Sequence, residues 1–390
     1  MRHFTSTQDW TVGELQTLLD QAAGLRSDPV RPLLQGRTLA LLFLNRSLRT
    51  RASFQIGAAQ LGATAIVLEP GNGVWGIEFD SGKIMDGKAE EHIIEVAEVL
   101  SRYCDLIAMR AFPGFKNWQY DREDPLIKAL ARHAKVPVIN METIIHPCQE
   151  LALAMTLQER MGQLKGKKLC LTWTWNPQPL STAVANSVVM IATKYGMNVS
   201  LLCPSPEYVL DERFMKAAQE NAAASGGGLS VTHEIRDGYE GADVVYANSW
   251  GALPYYGDPE REWDLSRAYV RFIVDEGKMA MTNKAIFSHC LPVRRNVEAT
   301  DARPCLLWVK NEHLAVQSPC SLSNGGHSSA WCEPGHAGLI YPGLESGGAA
   351  QESCHAPQAP IQSLLRSSRP SFSVRRVRHY GVAYFGGNCR

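Results

Sequence analysis

Apolar residues along this chain follow two alternating rhythms. The unbroken run Leu39, Ala40, Leu41, Leu42, Phe43 and Leu44 predicts a buried strand over 39–44. Phe54, Ala58 and Leu61, four and three apart and stopped by Gly62, predict a short amphipathic helix. Upstream, Leu15, Leu18, Leu19 and Ala22 behind a candidate N-cap at Thr11 predict a helix within 8–26. Downstream come a strand over 65–68, a helix over 90–103 striped by Ile93, Ile94, Ala97 and Leu100, and a strand over 105–109. A helix over 126–133, a strand over 136–140 and a long helical pattern over 149–161 complete the first half. From Lys168 the alternation restarts, with strands over 169–172, 198–202, 229–233, 244–247, 272–274 and 285–288 and helices over 183–195 and 212–221. The pattern predicts an α/β fold of two doubly wound parallel-sheet domains, 1–150 and 151–317; the last strand ends at His289, facing the first domain if the two sheets share a cleft. No internal repeat or heptad interrupts it.

Polar residues gather where the predicted strands end. Ser47, Leu48, Arg49, Thr50 and Arg51 follow the first strand and open a helix, a place where backbone N–H groups and guanidinium forks suit a phosphate. Taken alone, a solvated basic turn explains these five residues equally well. Arg110 ends the 105–109 strand, and Glu142, His146, Pro147, Cys148, Gln149 and Glu150 follow the next one. Three successive strand–loop–helix units thus place polar side chains on one edge of one sheet, where open α/β sheets bind ligands. Trp75, in the glycine-rich loop 69–76, is read as lying on its own core, a lid or subunit contact being the alternative.

Composition narrows the class. At 390 residues, 45% hydrophobic and 20% charged with zero formal net charge, the chain has no basic footprint for nucleic acid. No apolar stretch reaches the roughly 20 residues of a membrane span, and the first residues lack a signal-peptide core, so a cytoplasmic protein is expected. Of ten cysteines, Cys104, Cys148, Cys170, Cys203 and Cys290 stand singly, none at metal spacing; the other five crowd beyond residue 302. From Ser318 to Arg390 there is no Lys and no Asp, while Ser and Gly supply 12 and 10 residues, which sets 318–390 apart as an atypical tail resembling out-of-frame or disordered sequence.

With these motifs in hand, the chain resembles the transcarbamylases. The match is carried by Ser47–Arg51, Met109-Arg110, His146-Pro147-Cys148-Gln149 and His289-Cys290-Leu291-Pro292, in that order. Trp75, Glu90-Glu91-His92, Asn140-Met141-Glu142-Thr143, Thr172-Trp173-Thr174 and Ser249-Trp250-Gly251 point to the subgroup acting on N-acetylornithine, and the resemblance runs from about Phe4 to Asp301. It implies transfer of a carbamoyl group from carbamoyl phosphate to an amine, in a homotrimer, without metal or cofactor.

By that resemblance Ser47, Leu48, Thr50 and Arg51 hold the phosphate, while Arg49, Arg110, His146 and Gln149 reach the phosphate or the carbonyl oxygen. Leu291 would hold the carbamoyl NH₂ through its carbonyl, Cys290 would lie near the attacking amine, and Trp75 and Glu90 would enter a neighbouring subunit's cleft. Glu142, Asn248 and Arg294 would serve the acceptor. Asn248 departs from the family's lysine, as do Asn176, Ser181, Arg46 and Glu298 from its histidine, asparagine, proline and lysine. The donor site is thereby expected intact and the acceptor site altered. The alternatives are ornithine or N-succinylornithine as the acceptor, or a catalytically impaired subunit that binds carbamoyl phosphate. Leu306-Leu307-Trp308-Val309 and Asn311–Gln317 are expected to be a degraded trace of the family's passage into its last helix, with His313 where an arginine is usual.

Overall fold

A computed structural model describes residues 1–300 and the two-residue strand Leu307–Trp308. The expectations for Leu306, Val309 and Asn311–Gln317, His313 among them, and for the tail 318–390 lie outside the described residues.

The strands are β1 (Thr38–Phe43), β2 (Thr64–Leu68), β3 (Gly76–Glu78), β4 (Ala89–His92), β5 (Leu106–Arg110) and β6 (Val138–Glu142) in the first half. In the second half they are β7 (Lys168–Trp173), β8 (Asn198–Leu202), β9 (Gly228–Thr232), β10 (Val244–Asn248), β11 (Ile286–His289) and β12 (Leu307–Trp308). The first sheet is parallel in the order β2-β1-β5-β6, and the second is parallel in the order β12-β11-β10-β7-β8-β9. β5, β6 and β10 are buried throughout, and β5 and β10 accordingly run apolar up to their last residues, Arg110 and Asn248. In each sheet the strand order reverses once, between β1 and β5 and between β7 and β10. Crevices at such reversals, beyond the carboxyl ends of the strands, are where these sheets take ligands.

The helices that matter below are α1 (Val12–Ser27), α2 (Leu48–Gln60) and α3 (Ile93–Tyr103), followed by α4 (Trp118–Asp121), α5 (Pro125–His133), α6 (Pro147–Met161) and α7 (Ala183–Lys194). Thr11 caps α1 with Glu14 in a reciprocal capping box, as the sequence suggests. Gly62 ends the α2 turn at φ +83, where an added Cβ would also meet the Gln35 backbone at 3.3 Å. α6 leaves the end of β6 and runs across residues 150 and 151 to pack on α7. The first residues of the chain are stitched in as well. Phe4 pairs with the edge of β6 through Phe4 N–H to Val138 O (2.8 Å) and Asn140 N–H to Phe4 O (3.0 Å). Thr7 then donates to the buried Glu150 carboxylate and accepts from Lys194 Nζ at 2.9 Å.

Two expectations need correction. The run 272–274 is not a strand: Arg267–Phe272 is a 3-10 turn, and Val274 makes only an isolated bridge to Ala299. Phe272 is buried against Trp173 and Tyr269, so its apolar character reflects an aromatic cluster rather than a ladder. The helix expected from residue 90 begins at Ile93, capped by the His92 side chain, because residues 89–92 pair with β3. β3 and β4 are short and polar, and no period announces them.

Candidate active site

A cleft of about 660 Å³ opens at the two reversal points and is lined from both sheets. On the first-sheet side, Ser47 caps α2, accepting from Thr50 N–H at 3.1 Å and donating to Thr50 Oγ1 at 2.7 Å. The first turn of α2 carries Arg49 and Arg51 and no acidic residue, the opposite of what the helix dipole favours. Positive side chains around a positive helix end favour an anion there, so this turn suits a phosphate-like group. Five arginines (Arg46, Arg49, Arg51, Arg110 and Arg294) line the cleft against three glutamates (Glu69, Glu142 and Glu298). Arg51 is held by Glu69 at 2.9 Å. Arg49 reaches across the cleft and donates to the carbonyl oxygen of Leu291.

Arg110 and Glu142 face one another because β5 and β6 pair them in register at a bulge, a device that re-aims side chains at strand ends. Their side chains form an ion pair, 8% and 9% exposed. Arg110 also donates to Thr50 Oγ1 at 3.3 Å and stacks over Phe112 at 4.6 Å. His146, fully buried at the start of α6, lies with Nε2 3.6 Å from the same Glu142 oxygen, and its backbone N–H donates to Ser187 Oγ of α7 at 2.7 Å. Gln149 follows in the first turn of α6 and lines the cleft. Glu150, beside it, is entirely buried, and burial pushes its carboxyl up to about 7.

From the second sheet, Asn248 ends β10 and accepts from Cys290 Sγ at 3.1 Å. Glu298 accepts from Arg294 N–H at 2.6 Å and from Asn176 Nδ2 at 2.8 Å, with His289 Nε2 3.6 Å away. The two departures Asn176 and Glu298 therefore satisfy each other. Burial lowers the pKa of His289.

The structure brings together Ser47, Leu48, Arg49, Arg51 and Arg110 with Glu142, Gln149, Asn248, Cys290, Leu291 and Arg294 in one cleft. Thr50 and His146 sit just behind its wall, fully buried. Trp75 and Glu90 lie elsewhere. Trp75 is 65% exposed and borders a separate apolar pocket of about 180 Å³ with Val74 and Val99, so within one chain it neither lines the cleft nor lies on its own core. Sequence reasoning missed the apolar wall formed by Phe112, Phe115, Pro179, Leu180 and Val184. Phe112, two residues past Arg110 at a strand end, was the one readable signal. Among the described residues, no cluster of His, Cys, Asp and Glu is placed to hold a metal, and no helix is long and apolar enough to cross a membrane.

Comparison with known proteins agrees with this geometry. Residues 2–159 match the aspartate/ornithine carbamoyltransferase carbamoyl-P binding domain, and residues 167–304 match the aspartate/ornithine carbamoyltransferase Asp/Orn binding domain. The N-acetylornithine carbamoyltransferase of Xanthomonas campestris pv. campestris is 58% identical over 304 residues, covering 77% of this chain and 90% of the relative. A crystal structure of acetylornithine transcarbamylase complexed with acetylcitrulline superposes with a TM-score of 0.77 at 57% identity, covering 77% of this chain and 91% of that one. A variant N-acetyl-L-ornithine transcarbamylase complexed with carbamyl phosphate and N-succinyl-L-norvaline gives the same TM-score and identity, over 77% and 92% of the two chains. The chain belongs to the aspartate/ornithine carbamoyltransferase family.

Proposed function

We propose that this chain transfers the carbamoyl group of carbamoyl phosphate to the side-chain amine of N-acetylornithine, giving N-acetylcitrulline and phosphate, a step of arginine biosynthesis. The observation that carries the proposal is the α2 turn of Ser47 to Arg51, rich in cations and facing Cys290 and Leu291 across one cleft. The phosphate sits on the α2 N-terminus and the guanidinium groups. The neutral amine attacks the carbamoyl carbon, negative charge grows on the carbonyl oxygen, and Arg49, Arg110 and His146 supply donors to it without a covalent enzyme intermediate. The C–N bond forms as the C–O bond to phosphate breaks, the leaving phosphate takes the proton that the attacking nitrogen loses, and it remains on its arginines. Arg49 has to release the Leu291 carbonyl for this, which frees that oxygen for the carbamoyl NH₂ as the guanidinium turns to the phosphate.

Glu142, Asn248 and Arg294 complete the acceptor side, with Arg294 serving the acceptor's carboxylate. The active species is a homotrimer in the cytoplasm. Exposed Trp75, with Val74 and Val99 around it, supplies an apolar face for a second copy, through which Trp75 and Glu90 enter a neighbour's cleft. Glu90 there favours an acetyl over a succinyl acceptor, since the extra carboxylate would meet a like charge. Mixing a Trp75→Ala chain with an Arg110→Ala chain checks the shared site: each alone is nearly inactive, and mixed trimers regain sites carrying neither lesion. No regain, with subunit exchange shown independently, would count against it.

Asn248 favours a second reading, a subunit that binds carbamoyl phosphate without turnover. A turnover assay with carbamoyl phosphate and ornithine, N-acetylornithine or N-succinylornithine decides between them. Preference for N-acetylornithine supports the proposal. Binding without turnover on any of the three supports the second reading.

A further inference from the structure

Tyr246 belongs to neither the donor nor the acceptor set, yet it touches the donor set from the opposite sheet. It is the third residue of β10, fully buried, two positions before Asn248 and paired in register with Ser288 and Leu171. Gln149 Nε2, from the first turn of α6, donates to the Tyr246 hydroxyl at 2.5 Å. The other end of that amide, Oε1, is buried and has no hydrogen-bond partner, although Gln149 lines the cleft. Burial raises the pKa of Tyr246 well above that of an ordinary tyrosine, so the hydroxyl stays neutral.

An unpartnered acceptor in a buried position is costly unless a ligand supplies the donor. A carbamoyl group offers donors on its nitrogen and an acceptor on its oxygen, two ends of nearly equal size. The cationic side of the cleft suits the oxygen. The nitrogen carries two N–H donors, and the Leu291 carbonyl, once Arg49 releases it, accepts only one of them. Gln149 Oε1 is placed to accept the other. A primary amide presents a donor at one end and acceptors at the other, and its terminal torsion has no strong preference between the two orientations. A hydroxyl beside it fixes where the amide lies, and in the arrangement observed the NH₂ faces Tyr246 while Oε1 is left for a ligand.

We propose that Tyr246 is a positioning residue for the donor site: its hydroxyl holds the Gln149 NH₂ toward β10 and thereby keeps Oε1 available to the N–H of the carbamoyl group. The inference rests on the carbamoyl phosphate site proposed above. Because Gln149 and Tyr246 come from different sheets, the amide is set only when the two sides of the cleft are together.

The test is the full chain carrying Tyr246→Phe, titrated separately with fresh carbamoyl phosphate and with inorganic phosphate. Phenylalanine keeps the ring's packing and removes only the hydroxyl. Carbamoyl phosphate should bind about tenfold more weakly, the scale of one hydrogen bond, while phosphate affinity stays at the wild-type value. In a Gln149→Leu background the same substitution should cost nothing further, because the hydroxyl acts through the amide. Three results would overturn the tyrosine's role: unchanged carbamoyl phosphate affinity, an equal loss for phosphate, or loss of the fold. A wild-type chain that does not bind carbamoyl phosphate would instead overturn the donor site itself, and this inference with it.

Discussion

Removing Glu142 by substitution with alanine exposes how the cleft stores its charge. Arg110 and Glu142 are each nearly excluded from water, and the pairing of β5 with β6 leaves them no other geometry. Stripping one partner from a buried pair costs about 3–5 kcal/mol, because the remaining charge stays desolvated. The Thr50 hydroxyl at 3.3 Å and the Phe112 ring at 4.6 Å still touch Arg110 but bring no negative charge. Glu142→Ala should therefore unfold at clearly lower temperature than the wild type. Carbamoyl phosphate carries the missing charge, and a ligand that binds only the folded state stabilises it in proportion to its affinity. In the wild type it must share Arg110 with Glu142, whereas in the variant Glu142 no longer competes for the guanidinium. The rise in unfolding temperature on adding carbamoyl phosphate should thus be larger in Glu142→Ala than in the wild type, while turnover of N-acetylornithine falls. Thermal unfolding with and without the ligand measures both. Equal ligand-induced rises, or a variant that unfolds where the wild type does, would show that Arg110 is not neutralised by Glu142 in the way described.

Arg49→Ala removes a donor to the developing oxyanion or the phosphate, a loss of about 2.7–4 kcal/mol, so turnover should fall at least about a hundredfold with the unfolding temperature retained. Near-normal turnover would refute the donor assignment. Asn248→Lys restores a cation beside Cys290 and should lower the apparent Michaelis constant for N-acetylornithine about tenfold, leaving that for carbamoyl phosphate unchanged; initial-rate kinetics with each substrate varied will show it. Glu150 holds its proton in the folded chain up to about 7, from an ordinary value of 4.5, so folding is penalised as pH rises between those values while the unfolded carboxyl ionises. Glu150→Gln removes that penalty, and its unfolding temperature should gain on the wild type between about pH 5 and about pH 8. A constant difference across that range would sink the argument.

Much of the fold and half of the site are legible in the sequence because strand ends mark themselves. β1, β5 and β6 are apolar runs, and the polar residues directly after them can only project from the sheet's carboxyl edge, which is how Ser47, Arg110 and His146 are found. Contacts set by register are not legible. Glu142 reads as an acceptor-side residue, and only the bulge between β5 and β6 reveals its pairing with Arg110. Tyr246 sits inside Val244–Asn248 and reads as core, which it also is; its hydroxyl matters because α6 arrives from the other sheet. β3 and β4 escape because a pair of short strands with polar residues carries no period, and 272–274 misleads because aromatic packing and strand pairing leave the same apolar trace.

The stitching of the first residues has a consequence for how the chain comes into being. Phe4 waits for β6, more than 130 residues later, and Thr7 waits for Glu150 and Lys194. Contacts so remote along the chain close late and slow folding. On a ribosome, α1 and the strands β1 to β5 emerge and pair while the leading segment is still a loose end, and the edge of β6 is sealed only after its own synthesis. Lys194 then has to appear before the Thr7 carbonyl finds its partner. The segment of Phe4 and Thr7 is therefore among the last parts of the first sheet to be fixed, though it is made before every strand of that sheet. An added peptide ahead of Phe4 would lie beside that edge during the interval when another strand could occupy it.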